Sequence, residues 1–235
     1  MQLEDYYQQR AGKISFSRQQ ASDFAKQIAD DFNPLHDTDA KRFCVPGDLL
    51  FAVALSRVGL SQKMQANFTD MVNDGVELDF PATANTDLTV TDSAGKAYLG
   101  LNCSGECSTD AQRIAELTRR YVEFSGQTFP HILVPLWKAQ GVMINPARPL
   151  VIYESMHINL ERLDFTAPSL EMTETNLDVQ GRRGKVSLRF QLKCGDTAIG
   201  TGEKRMLLSG LRDYDQTAID ELIEFYEARK QSYRP

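Results

Sequence analysis

The chain has 235 residues, of which 42% are hydrophobic and 25% are charged, as in an ordinary globular protein. Its formal net charge is −6 and it carries no Lys/Arg-rich block, which argues against a general nucleic-acid-binding or anionic-membrane-binding surface. A chain of this length suits one large domain or two small ones.

The sequence shows no pattern typical of a targeting segment, a membrane span or a metal site. The N-terminus lacks the basic region and apolar core of a signal peptide, and the longest apolar run, at residues 49–55, is too short to span a membrane. The four cysteines show no CxxC spacing, and there are only three histidines. The sequence therefore predicts a cytoplasmic protein with free thiols and no metal site.

The first half of the chain reads as two helices followed by strands. Ser17 can cap a helix whose apolar residues recur at helical spacing up to Ile28, and Asn33-Pro34 breaks that helix. Pro46 suits the first turn of a second helix, which is apolar on most faces and should therefore be buried by other structure. From about residue 71 the pattern predicts strands at residues 76–80, 88–91 and 97–101.

The same order then repeats. A helix capped by Thr109 or Asp110 is broken at residues 125–130, and a short apolar helix follows at 134–141. Strands are predicted at 155–160, 170–179, 185–193 and 198–208, before a closing helix at 215–230 that should pack on the outside. The repetition indicates an internal duplication, so we predict an N-terminal unit at 1–108, a C-terminal unit at 109–212 and a terminal helical segment at 213–235.

The segment ahead of the buried helix carries the most functional information. A carboxylate and an imidazole lie five residues apart on either side of an Asn-Pro turn, in Asp31-Phe32-Asn33-Pro34-Leu35-His36. Val45-Pro46-Gly47 then opens the helix. An acid, a base and a helix N-terminus are the parts needed to move a proton next to a carbonyl group.

These residues resemble a known family. The segment 31–36 is similar to the D-x-N-P-[LI]-H motif of the MaoC-like (R)-specific enoyl-CoA hydratases and dehydratases, and Val45-Pro46-Gly47 resembles the glycine turn at the start of their central helix. Phe80-Pro81 and residues 87–90 resemble the strand that follows. The whole chain also resembles a bacterial family of uncharacterised proteins. The resemblance implies an α+β double hotdog fold, in which two tandem units each wrap an antiparallel sheet around a central helix, plus a C-terminal helix.

The resemblance also implies a role for each motif residue. Asp31 and His36 would be the acid–base pair that activates water, and Asn33 and Pro34 would shape the turn between them. Gly47 would donate its backbone N–H to the thioester oxygen. The substrate would be a 2-enoyl or 3-hydroxyacyl thioester of coenzyme A or of an acyl carrier protein, as in lyases of fatty acid metabolism, with no metal or redox cofactor.

The chain departs from the family pattern at several places. Asp30 stands where the family has Gly, so its charge should either raise the pKa of Asp31 or point to solvent. The segment between His36 and Gly47 is shorter than in the family, so part of the pocket wall should be missing. In the second half, Gln127 replaces the Asp, Phe129 replaces the Asn and His131 falls one place early, so at most one site per chain is expected.

Two other functions fit the same fold. One is a thioesterase that uses Asp48 or Asp31 to direct water at the carbonyl carbon, although Asp48 also suits the simpler role of a carboxylate that stabilises a helix start. The other is a non-catalytic module that binds an acyl thioester or a protein. A homodimer is compatible with each function, because hotdog units pair through their sheets.

Three further interpretations concern the second half. Trp137, Phe124 and Phe129 should build its core, and the alternative is that they line a tunnel for an acyl chain. His157 lies within a predicted strand and should be structural. The Arg182-Arg183 pair lies in a turn and should be solvated.

Overall fold

The computed structural model describes residues 2–81 and 87–233. These residues form a ten-stranded sheet in which all neighbouring strands run antiparallel, a two-stranded sheet and five α-helices. No helix in this part of the chain is long and apolar enough to cross a membrane.

The first half contains six strands and two α-helices. In chain order these are β1 (Gln8–Arg10), β2 (Lys13–Ser15), α1 (Arg18–Asp23), α2 (Gly47–Val58), β3 (Leu60–Phe68), β4 (Leu78–Asp79), β5 (Leu88–Asp92) and β6 (Ala97–Ser108). Helix α1 continues as a π-helical turn, Phe24–Ile28, and single 3-10 turns lie at Leu3–Tyr6 and Pro34–His36.

The second half contains the other three α-helices and six strands. They are α3 (Ala111–Gly126), α4 (Leu133–Ala139), β7 (Val142–Met143), β8 (Val151–Leu160), β9 (Pro168–Gln180), β10 (Arg183–Cys194), β11 (Thr197–Ser209), β12 (Arg212–Asp213) and α5 (Gln216–Tyr233).

Local sequence signals explain where the helices begin. Ser17 forms a capping box with Gln20 at the start of α1, and the Asp110 side chain accepts a hydrogen bond from the Arg113 amide at the start of α3. Residues 49–55 of α2 are at most 2% exposed, so α2 is the buried central helix that its sequence predicts.

The ten-stranded sheet has the same strand order in its two halves. One half runs β3-β6-β5-β4 and the other β8-β11-β10-β9. Antiparallel pairing of β3 with β8, from Lys63 opposite Asn159 to Asn67 opposite Ser155, joins the halves into a continuous sheet. The predicted α+β double hotdog architecture is confirmed.

The predicted unit boundaries lie near element ends. Strand β6 ends at Ser108, and Arg212 lies in β12. However, the apolar cluster around α2 also contains Met156 and Phe190 of the second half, so the two halves share packing. The division at 108 and 212 stays a prediction, and residues 234 and 235 of the last segment lie outside the described residues.

The prediction that strands begin at about residue 71 is wrong, because β1, β2 and β3 all precede that residue. Strand β3 starts at Leu60, directly after α2, because Gly59 turns the chain with φ +85. Conversely, the strand predicted at 76–80 is reduced to β4. The sequence of β3 gives only a weak strand signal, because few of its residues are strong strand formers and its exposed face carries Lys63 and Gln65.

The three aromatic residues assigned to the second core divide between two clusters. Trp137 is fully buried beside the inner face of β10 and β11, as predicted. Phe129 packs on the same cluster at a ring-centroid distance of 6.0 Å from Trp137. Phe124 instead packs against Phe190 at 5.1 Å, in the cluster around α2, because α3 lies against α2.

Helix α3 and the π-helical turn of the first half meet at a glycine. A Cβ atom on Gly126 would lie 1.6 Å from the carbonyl oxygen of Ala29, far inside any permitted contact. The two backbones therefore approach each other directly, and only glycine can occupy position 126 at this separation.

We expect Gly126→Ala to lower the free energy of unfolding by about 3 kcal/mol or more, because the new methyl group must push backbone apart. Urea denaturation followed by circular dichroism would measure the change. Gly100→Ala is the matched control, because a Cβ at Gly100 meets nothing within 4 Å, and it should change stability by less than about 1 kcal/mol. Equal destabilisation by both substitutions would contradict the proposed close contact.

Candidate functional site

A cavity of about 960 Å³ lies between the two halves of the chain. It is lined by the turn at 31–36, the start of α2, the end of α3, the inner face of β11 and one face of α5. Most of the lining side chains are apolar, and two clusters of polar groups lie on the wall. Asp31, His36, Gly47 and Asp48 all line this cavity.

The first polar cluster is the turn that carries Asp31 and His36. Asp31 Oδ1 accepts a hydrogen bond from the Asn33 amide at 2.9 Å, and the Asn33 side chain accepts one from the Leu35 amide at 3.1 Å. Pro34 opens the single 3-10 turn that ends at His36. The tight turn brings Asp31 Oδ2 to 3.9 Å from His36 Nε2.

The imidazole ring of His36 is held from its other side. Nδ1 lies 2.8 Å from the carbonyl oxygen of Cys44 and 3.9 Å from the Cys44 sulfur. A carbonyl oxygen only accepts hydrogen bonds, so Nδ1 carries the proton of this contact and Nε2 faces Asp31.

Both members of this pair have shifted pKa values. The pKa of Asp31 is raised overall, because burial and the charge of Asp48 outweigh the lowering by His36, the Asn33 amide and Lys204. Burial lowers the pKa of His36, but hydrogen bonds and charge from Cys44, together with Asp31, raise it to about 9 overall. His36 therefore carries a proton at neutral pH, and its Nε2 atom lies 3.9 Å from the Asp31 carboxyl group.

Asp30 points partly to solvent, which is the second of the two alternatives that its sequence position leaves open. Its side chain is half exposed and forms an ion pair with Lys230 of α5. Asp30 has φ +54, a left-handed conformation. Gly adopts it freely and Asp tolerates it, which explains how Asp can occupy a position where the hydratase motif has Gly.

Gly47 begins α2 at a crowded place on the cavity wall. A Cβ at this position would lie 3.0 Å from the Tyr153 ring and 3.2 Å from the Phe68 ring. The first helical hydrogen bonds are those from Leu49 and Leu50 to the Pro46 carbonyl, so the amides of Gly47 and Asp48 have no partner within the helix. The first N–H groups of α2 are therefore free of helical hydrogen bonds and lie beside the cavity.

The second polar cluster surrounds Asp48. Ser125 at the end of α3 donates a hydrogen bond to Asp48 Oδ2 at 2.5 Å, and Lys204 of β11 donates one to Ser125 Oγ at 2.5 Å. The hydroxyl groups of Tyr121 and Tyr153 contact each other. Burial raises the pKa values of both tyrosines well above their usual range, and the charge of Asp48 raises them further, so both hydroxyls keep their protons.

Asp48 is therefore more than a carboxylate at a helix start. Ser125 links it to the buried ammonium of Lys204, which also lies 4.5 Å from the centre of the Tyr153 ring. Each of the two polar clusters thus holds one acid and one base on the wall of a single cavity.

The wall that the short segment after His36 was expected to lack is supplied by other parts of the chain. Helix α5 contributes Leu222 and Tyr226, and the loop before β8 contributes Pro149. Helix α5, predicted to pack on the outside, thus closes one side of the cavity. Among the described residues, Met71 and Phe225 are the two exposed large hydrophobic side chains, and both stand at the cavity rim.

The motif remnant of the second half contributes to this same cavity. Ser125 and Phe129 line it, whereas Gln127 and His131 are exposed and do not. His157 lies in β8, opposite Gln65 of β3. Arg182 and Arg183 are exposed at the turn into β10.

Sequence reasoning missed four residues of the second cluster: Ser125, Lys204, Tyr121 and Tyr153. Ser125 and the two tyrosines look like ordinary helix and strand residues. Lys204 does carry a signal, because it occupies an inward position in the alternating strand β11, between buried Gly202 and Met206.

The cavity walls offer little for a metal ion. Across residues 2–81 and 87–233, no three His, Cys, Asp or Glu side chains are arranged to hold one.

The sequence profile of the DUF3581 family, described as a protein of unknown function, matches residues 1–217. The chain belongs to this family. No curated protein shows significant sequence similarity to the chain.

Several solved structures are similar to this one at low sequence identity. The acyl-CoA thioesterase II TesB2 from Mycobacterium marinum is 7% identical with a TM-score of 0.43, over 92% of this chain and 99% of that one. A hotdog-fold protein of unknown function from Alicyclobacillus acidocaldarius is 8% identical with a TM-score of 0.46, over 89% and 98%. A MaoC-like dehydratase is 12% identical with a TM-score of 0.41, over 87% and 98%. Similarity at this level assigns no activity to the chain.

We expect His36 to titrate near pH 9 in the folded protein. Because this pKa exceeds the ordinary value of 6.5, protonation stabilises the fold; the contribution is complete below pH 6.5 and disappears as pH rises through about 9. NMR titration of the His36 ring would measure the pKa. Urea denaturation at pH 6.5 and 9.5 should show a loss of about 1–3 kcal/mol that His36→Gln lacks.

Cys44→Ala provides the control for the cause of this shift. It removes the thiol while keeping the carbonyl oxygen that accepts from Nδ1, so the pKa of His36 should fall toward 6.5. A wild-type titration already centred near 6.5 would contradict the assigned contacts.

Proposed function

We propose that the chain is a hydratase or dehydratase that acts on an acyl thioester of coenzyme A or of an acyl carrier protein. The observation that carries this proposal is that Asp31, His36 and Gly47 line one cavity, beside the start of α2. The sequence motif predicts a site at these same three residues.

The geometry suggests how water is added. Asp31 Oδ1 is held by the Asn33 amide, which leaves Oδ2 to take a proton from water as the water oxygen attacks C3 of a 2-enoyl thioester. His36, protonated below about pH 9, gives a proton to C2. The reverse sequence removes water from a 3-hydroxyacyl thioester. This route uses proton transfer alone and requires no metal or redox cofactor.

The start of α2 can stabilise the negative charge that develops on the thioester oxygen during this reaction. When the C2–C3 double bond is attacked, negative charge moves to the thioester oxygen until C2 is protonated. The unpaired amides at the start of α2, including that of Gly47, can hold that oxygen, and a helix N-terminus favours negative charge.

The shape and lining of the cavity suit an acyl thioester. A volume of about 960 Å³ is sufficient for an acyl chain together with part of a pantetheine arm. The exposed side chains of Met71 and Phe225 at the rim would cover apolar parts of such a ligand.

A thioesterase is the second candidate, and the position of Asp48 favours it. Asp48 lies on the same cavity and is bonded to Ser125, so it could direct water at the carbonyl carbon instead of at C3. A module that only binds its ligand is less well supported, because Asp31 and His36 both line the cavity. A homodimer and a cytoplasmic location stay predictions of the sequence.

The decisive measurement is hydration of crotonyl-CoA and longer 2-enoyl thioesters by the purified protein. Asp31→Asn and His36→Gln should each lower kcat by roughly 100- to 10,000-fold, because each removes one partner of the proton transfer. Asp30→Asn is the matched control, since that carboxylate pairs with Lys230, and it should change kcat less than about threefold.

Release of free thiol from saturated acyl-CoA, measured with a thiol reagent, identifies the thioesterase. Hydration leaves the thioester intact, so the two activities separate in one experiment. Absence of hydration for every chain length and carrier, or hydration that survives both Asp31→Asn and His36→Gln, would rule out the proposed hydratase.

A further inference from the structure

Lys204 occupies a place where lysine is rarely found. It is 6% exposed, it points to the inner face of β11, and its strand neighbours on that face are Gly202 and Met206. Lysine is almost never buried to this extent without a partner, because taking the ammonium out of water is costly.

The protein satisfies this ammonium only in part. Nζ donates to Ser125 Oγ at 2.5 Å and lies 4.5 Å from the centre of the Tyr153 ring. An ammonium has three N–H donors. Within residues 2–81 and 87–233, the one oxygen that accepts from it is that of Ser125, and Lys204 lines the cavity. A donor on the cavity wall is therefore available to a ligand.

The charges inside the cavity indicate the kind of group that this donor would bind. Lys204 is balanced by Asp48 through Ser125, and His36 is balanced by Asp31. The other charged residues on the lining, Asp70, Arg212 and Glu221, are exposed. Because the interior charges cancel, an anionic group would add an uncompensated buried charge, whereas a neutral oxygen would not.

We propose that Lys204 is a substrate-binding residue that donates a charge-assisted hydrogen bond to a neutral oxygen of the bound acyl thioester. That oxygen is either the thioester carbonyl at C1 or an oxygen on C3. Ser125 and Asp48 are positioning residues, because they hold the ammonium against the Tyr153 ring and compensate its charge. This inference deepens the proposed function and rests on an acyl thioester occupying the cavity.

The test compares three ligands that differ by one oxygen at a time. S-butyl-CoA lacks the carbonyl oxygen, butyryl-CoA has it, and 3-hydroxybutyryl-CoA adds an oxygen on C3. Isothermal titration gives each Kd for the wild type and for Lys204→Met, and chromatography after each titration checks that the ligand is intact.

A hydrogen bond from a charged donor contributes about 10- to 100-fold to affinity. The wild type should therefore prefer one oxygen-bearing ligand over its matched partner by about that factor, and Lys204→Met should lose that preference while still binding S-butyl-CoA. Loss of the preference for butyryl-CoA over S-butyl-CoA identifies the C1 oxygen. Loss of the preference for 3-hydroxybutyryl-CoA over butyryl-CoA identifies the C3 oxygen.

A double variant controls for destabilisation caused by the loss of the Lys204 charge. Lys204→Met leaves Asp48 as a buried carboxylate without its cation, whereas Lys204→Met with Asp48→Asn removes both charges. Both variants should lose the same preference. Ser125→Ala keeps the lysine but removes the group that positions it, so the preference should weaken and not vanish.

Unchanged affinity ratios in both Lys204 variants would overturn the proposal and leave Lys204 as a counter-ion for Asp48. Failure of the wild type to bind any of the three ligands would also overturn it. The proposed hydratase fails separately: if Asp31→Asn has no effect on turnover but the Lys204 preference holds, the cavity binds the ligand and the assigned chemistry is wrong.

Discussion

The direct backbone contact between Ala29 and Gly126 brings the two polar clusters of the cavity together. Asp31 follows this contact by two residues and Ser125 precedes it by one, so the crossing brings the turn of the first half and the end of α3 to the same wall. A side chain at position 126 would separate them. The missing Cβ of one glycine is thus what allows two polar clusters from distant parts of the chain to share one cavity.

Helix α5 is attached to the first half by ion pairs and a hydrogen bond next to the turn at residues 31–36. Lys230 pairs with Asp30, Arg229 pairs with buried Asp37, and the Tyr226 hydroxyl donates to the Asp30 carbonyl at 3.2 Å. The same tyrosine packs against Phe32 and Phe129 at ring-centroid distances of 6.0 and 5.1 Å. These contacts hold the helix beside Asp31 and His36. Its cations Arg229 and Lys230 pair with Asp37 and Asp30.

The second half lacks the Asp, Asn and His of the motif, and its turn at residues 125–130 lies on the same cavity. Gln127 and His131 point to solvent, while Ser125 reaches Asp48 of the first half. The second half thus supplies part of the wall and a hydroxyl group to the cavity that the motif of the first half lines. The continuous sheet makes this possible, since β3 and β8 pair directly and hold the two halves at a fixed separation.

The sequence by itself determined the local features: the buried helix α2, the capped starts of α1 and α3, the repeated order of elements, and the turn that places Asp31 opposite His36. Each depends on residues within a few positions of one another, where helical period and turn chemistry act directly. Tertiary structure alone decided the rest. Strand β3 is one such feature. The others are contacts between residues up to 200 positions apart: the Asp30–Lys230 ion pair, and the hydrogen bonds that link Lys204 to Asp48 through Ser125. Hydrophobic periodicity can show that a residue such as Lys204 faces inward, but it does not predict which distant residue it contacts. Those partners are decided only when the two halves pack together.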